Sequence, residues 1–310
     1  MSLSVVLLCR NQAKHLPTTI NLLSDCAEHI NQFVLVDDAS QDESPTLVAK
    51  AAAQLEHAHA ILHKRNIGVV AAMRDALSKC TESYVHFLAC DDAIHSQFYP
   101  HCLSLLKNFP QAGLCSTATE LMREDGGLIG EFRASRPLKS AGYISARNAR
   151  NALVWLDSWF MGNATIFNRD KLFAIGGFKE DLEGYSDAYA CIRLALRHGA
   201  CYSPALMAQK RLHDHAYGRS MYAPTNSARL LTILTRHMEE DAEDLFDSTL
   251  IKRIRGRWKF NTASLGRRHR SSDESSMIQV INFLRYKPFD IVSVLHRHKP
   301  AGSLRGSTTK

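Results

Sequence analysis

The sequence lacks the glycine loops of the commonest nucleotide-binding enzymes. No Gly-rich dinucleotide fingerprint follows the first apolar run, and no Gly-x4-Gly-Lys-Ser/Thr loop occurs anywhere in the 310 residues. Both absences count against an ordinary dinucleotide oxidoreductase and against a P-loop enzyme, because each class holds phosphates through its glycine loop. A nucleotide, if this chain binds one, must be held in another way.

Long apolar runs and paired cysteines are also missing. No apolar run reaches about 18 residues, the length that a membrane-spanning helix needs, and Met1 leads directly into the first apolar run without a signal peptide. None of the eight cysteines stands in a Cys-x2-Cys pair, so we expect reduced structural thiols. With 45% apolar residues, the chain has enough apolar surface for a substantial core. We therefore expect a soluble, cytoplasmic enzyme.

What is present is a set of apolar runs that end in paired carboxylates. One short run ends in Asp91 and Asp92, and an earlier one ends in Asp37 and Asp38. In an open α/β sheet, ligands bind at the carboxyl ends of the strands. Two adjacent carboxylates repel each other, so a pair is easiest to explain if a cation or several donors neutralise it. The later pair indicates a divalent cation that holds a phosphorylated ligand; capping of the next helix is the alternative.

The first half of the chain alternates apolar runs with helical patterns. Four predicted strands, near 4–9, 32–36, 60–63 and 84–90, are separated by helical periodicity. Alternation at this spacing implies right-handed crossovers and a mainly parallel, doubly wound sheet flanked by helices. The polar loops that follow the strands then lie together at one edge of the sheet.

A series of short motifs occurs in a fixed order along the chain. They are Ser4 to Asn11, Val36 to Ser40, Asn66 to Gly68, Ala89 to Ile94, Asn163 to Arg169, Ile175 to Phe178 and Gly184 to Ala188. In this order and at these spacings they resemble the family 2 inverting glycosyltransferases, which have the Rossmann-like α/β fold called GT-A. The resemblance covers roughly residues 2 to 220. It implies a glycosyltransferase domain over 1–222, with a nucleotide-sugar half at 1–119 and an acceptor and catalytic half at 120–222.

The resemblance assigns nucleotide-binding roles to residues that follow the strands. The implied set is Cys9, Arg10, Asn11, Asp38, Asn66, Gly68 and Asp91. The first three would lie beside the base, and Asp38 would accept the N3–H of a uracil or an equivalent donor. Asn66 and Gly68 would approach the ribose or phosphates, while Asp91 would face the ribose or a metal-bound water. For Asp38 and its neighbour Asp37, which would order the loop, turn formation is the alternative.

The resemblance also implies a metal ion. Asp92 would ligate Mn²⁺ or Mg²⁺ at the donor diphosphate, since both are hard cations that take oxygen ligands. His213 would help to ligate the metal or to neutralise phosphates, although a surface histidine is equally consistent with the sequence. Many relatives carry an acid at the position of Ala89 and an Arg-Asn pair where this chain has Met73 and Arg74. The phosphate contacts of that helix therefore stay open.

Asp187 is the residue that the resemblance assigns as general base. Inversion at the anomeric carbon needs one carboxylate, which takes the proton of the acceptor hydroxyl as that hydroxyl attacks opposite the leaving phosphate. Relatives usually have Glu-Asp where this chain has Ser186 and Asp187, so the supporting acid is missing. The alternative is an acid that only stabilises a helix N-terminus through the helix dipole.

Basic charge is concentrated in the last part of the chain. Residues 250–310 hold 14 Lys and Arg against 3 Asp and Glu, in a chain of net charge +7. Between 250 and 270 basic and apolar residues alternate as in an amphipathic helix that rests on an anionic membrane. A helix that packs back on the catalytic domain is the alternative. We expect a basic helical extension over 223–300, a disordered tail over 301–310, and no nucleic-acid partner.

These inferences predict a metal-dependent inverting glycosyltransferase that moves a sugar from a nucleotide diphosphate, with UDP favoured, to a saccharide or glycolipid hydroxyl. The pathway would be bacterial surface polysaccharide or lipopolysaccharide synthesis, at most peripheral to the inner face of the cell membrane. Trp155 and Trp159 would stack on acceptor sugars or belong to the core. A catalytically silent nucleotide- or glycan-binding scaffold is one alternative. A sugar-phosphate nucleotidyltransferase is another, although its usual Gly-rich basic loop is absent.

Overall fold

The computed structural model describes residues 1–132, 135–212 and 224–268. His213 and the predicted tail 301–310 lie outside the described residues, as does the part of the predicted extension beyond 268. All eight cysteines are buried, and none forms a disulfide.

The N-terminal half is a parallel sheet with helical crossovers. Its strands are β1 (Leu3–Cys9), β2 (Gln32–Asp37), β3 (Ala58–Leu62) and β4 (Tyr84–Ala89), in the spatial order β3-β2-β1-β4. Neighbouring strands in this group are all parallel. The crossovers carry helices α1 (Leu16–Asp25), α2 (Ser44–Gln54) and α3 (Val69–Lys79). The predicted alternation of strands and helices along the chain is confirmed, as is the parallel pairing of the strands.

Both faces of this sheet are covered, which explains why its strands are mainly apolar. Successive residues of a strand point to opposite faces. Accordingly, Val6 and Val34 belong to one hydrophobic cluster and Val5 and Leu35 to another. All four side chains are buried.

The second half extends the same sheet. Its elements are β5 (Ala93–Ile94), α4 (Phe98–Asn108), β6 (Leu114–Met122), β7 (Leu128–Phe132), β8 (Gly142–Ile144), α5 (Ala146–Trp155), β9 (Thr165–Asn168), α6 (Arg169–Ala174), α7 (Ser186–His198) and β10 (Ala200–Arg211). β9 lies antiparallel between β4 and β6, and β10 runs parallel to β6. The described residues thus form a ten-stranded, mainly parallel sheet.

Two helices complete the described chain, α8 (Pro224–Glu239) and α9 (Ser248–Arg268). The apolar residues Leu250, Ile254 and Trp258 of α9 are buried in the same hydrophobic cluster as α7. Trp258 packs on Tyr185 with 4.6 Å between ring centroids. The apolar face of α9 from Leu250 to Trp258 therefore packs against the rest of the chain, and it is not free for insertion into a membrane. None of the helices in the described part of the chain is long and apolar enough to cross a bilayer.

Candidate active site

The carboxyl ends of β1, β2 and β4 meet at one edge of the sheet. Backbone hydrogen bonds continue beyond the strands: Asp38 N–H donates to Cys9 O at 3.0 Å, and Cys90 N–H donates to Leu8 O at 3.0 Å. These bonds bring both carboxylate pairs and the turn after β1 together, as the sequence predicts. Cys9 itself is buried, at 4% exposure, and it is covered by its neighbours.

Asp37 and Asn11 tie the loops after β1 and β2 together. Asp37 accepts hydrogen bonds from Ser40 N–H at 2.9 Å and Ser40 Oγ at 2.5 Å. Ser40 Oγ in turn accepts Asn11 N–H at 2.8 Å, and Asn11 Oδ1 accepts Gln41 N–H at 2.8 Å. Asn11 has φ +53°, a left-handed conformation that asparagine tolerates. The Asn11 amide oxygen, expected beside a base, is used to fix the loop.

Asp38 anchors the loop that leads into α3, which sequence reasoning did not foresee. Its carboxylate accepts Ile67 N–H and Gly68 N–H, each at 2.9 Å, and also contacts His63 Nδ1 at 3.1 Å. Gly68 has φ +88°, a conformation that favours glycine and that lets consecutive N–H groups converge on one anion. A carboxylate has about four acceptor positions, so these contacts leave room for one further donor. The contact between Asp38 and a base stays a prediction.

A basic pocket of about 440 Å³ opens beside Asp37. Its lining includes Arg10 and Asn66, both predicted, and His63, Lys64 and Arg65, which were not. The missed residues directly follow β3, so their position after a strand was the available signal. Positive charge around such a pocket favours an anionic or phosphate-bearing ligand.

Asp92 is a buried carboxyl group with few donors. It is 8% exposed, and its Oδ1 accepts Arg211 N–H at 2.9 Å. Burial, together with the charge of Asp91, raises the pKa of Asp92 to about 7. Among the described residues no three His, Cys, Asp or Glu side chains form a group that could hold a metal alone. The buried, under-coordinated carboxylate nevertheless fits a hard cation whose other ligands are phosphate oxygens and water.

Asp187 is the second residue of α7. Its Oδ1 accepts the N–H of Ala188 at 2.7 Å, and burial raises the pKa of its carboxyl group. A Cβ atom placed on Gly162 would clash with Asp187 Oδ2 and would lie 3.4 Å from its Cγ. Gly162 therefore permits the position of this carboxylate. A lone glycine in an irregular stretch gave no signal in the sequence.

Ser186, which stands where relatives have an acid, has a structural contact. The Ser186 side chain is 1% exposed, and its Oγ accepts the N–H of Lys179 at 2.6 Å. This bond ties the start of α7 to the segment after Gly176 and Gly177, whose φ angles are +79° and +64°. The missing acid is thus replaced by a hydroxyl that holds the turn in place.

Lys210 lies near both Asp92 and Asp187, and sequence reasoning missed it. The carbonyl oxygen of Gln209, just before it, accepts a hydrogen bond from Asn163 Nδ2 at 3.3 Å. Arg211, just after it, donates its N–H to Asp92. Asn163 follows Gly162, which contacts Asp187. The positive charge of Lys210 acts on both acids and lowers the pKa of each against the effect of burial. No hydrogen bond or ion pair to the Lys210 ammonium group occurs within residues 1–132, 135–212 and 225–259.

The two tryptophans proposed for sugar stacking have different environments. Trp159 is 1% exposed and packs against Phe160 with 4.7 Å between ring centroids, so it belongs to the core. Trp155 is 67% exposed at the end of α5, and the guanidinium group of Arg253 lies 5.4 Å from its ring centroid. Only Trp155 is accessible to a partner.

The comparisons with known proteins find similarity to glycosyltransferases. Residues 4–127 match the family model described as Glycosyl transferase family 2. Uncharacterized proteins of Mycobacterium tuberculosis and Mycobacterium bovis are 24% identical over 231 residues, which is 71% of this chain and 61% of theirs. This chain thus spans about three fifths of the length of those relatives.

Solved structures match over nearly the whole chain. The S. aureus TarS 1–349 complex with UDP-GlcNAc has a TM-score of 0.68 at 16% identity, covering 91% of this chain and 79% of that one. The mannosyltransferase PcManGT from Pyrobaculum calidifontis, in complex with GDP-Man and Mn²⁺, has a TM-score of 0.57 at 18% identity, covering 95% and 84%. The chain therefore resembles glycosyl transferase family 2 over its residues 4–127, and it has the GT-A fold of these solved structures.

Proposed function

We propose that the chain is a metal-dependent inverting glycosyltransferase that uses a nucleotide diphosphate sugar and glycosylates a saccharide or glycolipid hydroxyl. The observation that carries this proposal is that two acids with a raised pKa, Asp92 and Asp187, both lie close enough to Lys210 for its charge to act on them. Asp92 accepts the N–H of Arg211, and Asp187 lies against Gly162. Perturbed acids at the carboxyl edge of a sheet are what a catalytic site requires.

The donor diphosphate would lie beside Asp91 and Asp92. Asp92 would ligate Mn²⁺ or Mg²⁺, and Asp91 would face the ribose or a metal-bound water. When bound, the metal stabilises negative charge on the leaving nucleoside diphosphate. The Lys210 ammonium group would donate to a diphosphate oxygen, since the described residues give it no other partner. A hydrogen bond between charged groups in a partly buried site is stronger than a neutral one.

Asp187 would take the proton of the acceptor hydroxyl. As the hydroxyl oxygen bonds to the anomeric carbon, the bond from that carbon to the phosphate oxygen breaks on the opposite face, and the proton passes to the Asp187 carboxylate. This single displacement inverts the anomeric carbon and needs no carboxylate nucleophile. The raised pKa of Asp187 makes its carboxylate a stronger base near neutral pH than an exposed aspartate.

UDP is our first choice of nucleotide. Asp38 keeps one acceptor position and lies next to the basic pocket that Arg10, His63 and Asn66 line, which suits a uracil N3–H and nearby phosphates. TarS was solved with UDP-GlcNAc and PcManGT with GDP-Man, so the fold supports more than one base. For the acceptor we propose a lipid-linked or surface saccharide at the inner face of the cell membrane.

Calorimetric titration of UDP, GDP and dTDP, with and without Mn²⁺, tests the proposal on the wild type, Asp92→Asn and Asp170→Asn. Asp170 is exposed on α6, so its variant controls for the loss of one carboxylate. We expect one nucleotide to bind only with Mn²⁺, and to lose that binding in Asp92→Asn alone. If the wild type bound no nucleotide, either with or without Mn²⁺, the transferase proposal would be overturned. Binding without any sugar transfer would leave the silent scaffold as the better account.

A further inference from the structure

Helix α9 has a second face, opposite to the one that packs on the domain. Lys252, Arg255 and Lys259 are exposed there, at the spacing i, i+3 and i+7 that places side chains in one stripe. The buried residues Leu250 and Ile254 lie on the other side of the helix. Packing therefore accounts for the apolar half of the amphipathic pattern and leaves the basic half unexplained.

Helix α5 lies beside α9 and extends this surface. Arg257 of α9 donates to the carbonyl of Val154 at 3.1 Å and also to that of Leu153, so it binds the last turn of α5. Arg253 lies over the ring of Trp155, and Arg147 is exposed two turns earlier on α5. The basic face is defined here as Arg147, Trp155, Lys252, Arg253, Arg255 and Lys259.

No acidic residue interrupts this surface from within its two helices. The sequences of α5 and α9 contain no Asp or Glu at all. Asp247, just before α9, pairs with Arg150, and Asp157, just after α5, acts on Arg257. The face still has a net positive charge, whose self-repulsion an anionic partner lowers. Trp155 adds a large apolar ring that is left mostly in water.

We propose that the basic face binds an anionic lipid surface, with Trp155 placed among the headgroups. Basic side chains near a lipid surface are attracted to its negative charge, and tryptophan favours the interface between headgroups and acyl chains. A soluble polyanion would use the same positive charges but would leave the Trp155 ring in water. The exposed Trp155 therefore favours lipid over a soluble polyanion.

The basic face adjoins the acceptor side of the site. The chain runs from Trp155 through a short loop to Gly162, which contacts Asp187. Trp258 of α9 packs on Tyr185, two residues before Asp187. Binding of lipid at this face would bring the Asp187 side of the site near the membrane, where a lipid-linked acceptor resides. That consequence rests on the proposed function, whereas lipid binding itself does not.

Vesicle flotation of the full chain tests the charge requirement. The vesicles are pure phosphatidylcholine or phosphatidylcholine with one quarter phosphatidylglycerol, at physiological salt. The test variant is Lys252→Glu/Arg255→Glu, and the matched control is Lys50→Glu/Lys107→Glu, which changes net charge equally on exposed residues of α2 and α4. Each basic residue near the surface contributes about fivefold in affinity, so the test variant should bind at least about thirtyfold more weakly.

Tryptophan fluorescence tests the position of the ring. Of the three tryptophans in the chain, Trp159 and Trp258 are buried, at 1% and 8% exposure. Brominated anionic lipid should therefore quench mainly Trp155, and Trp155→Phe should remove that quenching while the other emission is unchanged.

Three results would overturn the lipid proposal. They are no binding of the wild type to anionic vesicles, equal losses in the test and control variants, or equal quenching with and without Trp155. Circular dichroism confirms that each variant is folded. Nucleotide binding measured on the same variants separates this proposal from the transferase proposal, because the basic face includes none of the donor residues.

Discussion

Gly162→Ala should disable the proposed base without unfolding the protein. The new Cβ would clash with Asp187 Oδ2, while the Cγ and Cβ of Asp187 would lie at 3.4 and 3.7 Å, which is ordinary contact. Only the carboxylate has to move, by about 1 Å, to reach normal separation. A misplacement of about 1 Å at a reacting group costs about 100-fold in rate. We therefore expect kcat to fall about 100-fold, with little change in nucleotide affinity.

The stability of Gly162→Ala should stay close to that of the wild type. Gly162 has no positive φ that would exclude alanine, and replacing glycine by alanine at such a position gains about 0.4–1 kcal/mol through the unfolded state. This gain offsets the small cost of turning a flexible carboxylate. Gly256→Ala is the control, because a Cβ at Gly256 meets nothing within 4 Å. That control should keep full kcat.

The assay follows release of nucleoside diphosphate from the donor that the calorimetric titration selects, alongside thermal melts of each variant. Asp187→Asn should lose about 10²- to 10⁴-fold in kcat, the range for a general base. If Gly162→Ala acts only through Asp187, the double variant should lose no more than Asp187→Asn alone. Activity of Gly162→Ala within twofold of the wild type, or additive losses in the double variant, would refute the assignment.

Three further variants test the surroundings of the site. Lys210→Gln should raise the donor KM about tenfold to 100-fold. It should also move the acidic limb of the pH–rate profile to higher pH, because the ammonium group lowers the pKa of Asp187. An unchanged profile would contradict this role of Lys210. His86 is fully buried, and burial lowers its pKa from 6.5 to about 4. The free energy of unfolding should therefore fall by about 3 kcal/mol as the pH drops from 6.5 through 4. In urea melts over this pH range, His86→Gln should show a smaller fall. The Asp241 carboxylate is 1% exposed and lies 2.5 Å from Arg193 Nε. Arg193→Met leaves this carboxylate without its partner, so it should reduce the free energy of unfolding by about 3–5 kcal/mol. Adding Asp241→Asn should recover part of the loss.

The parallel half of the sheet was predictable because its signals are local. Each of its strands is a mainly apolar segment of at least five residues that is followed by polar residues and then by helical periodicity. The strands β5 and β8, with two and three residues, carry no such signal. Their pairing with β10 depends on contacts made only after the chain has folded. The antiparallel insertion of β9 is equally invisible to periodicity.

The candidate site was predictable to the extent that its residues end strands or helices. Asp92 was indicated by its place after a strand, whereas Asp187 was indicated by the resemblance of its motif. Lys210 and Gly162 were missed because their nearness to these acids comes from tertiary contacts: the hydrogen bond of Arg211 to Asp92 spans 119 residues. No spacing rule connects residues that far apart in the sequence.

The amphipathic pattern of α9 shows a different limit. Burial of apolar residues is favourable whether protein or lipid covers them, since both remove the same area from water. The sequence therefore left the two environments open, and the contact of Trp258 with Tyr185 decides for protein. What remains of the membrane hypothesis is the basic face, whose apolar contribution comes from Trp155 on a neighbouring helix.

The pKa of Asp92 also bears on the silent-scaffold alternative. With a pKa of about 7 against 3.8 in an unfolded chain, the carboxyl group costs about 4 kcal/mol at neutral pH. The cost is absent below about pH 4, where both states are protonated, and it grows as the pH rises toward 7. That is a large part of the 5–15 kcal/mol by which domains are stable. Within the described part of the chain its oxygens accept one hydrogen bond, from Arg211 N–H, which an uncharged asparagine could accept equally. A cation-binding role explains the charge, and the raised pKa of Asp187 beside Gly162 extends the same argument from binding to proton transfer.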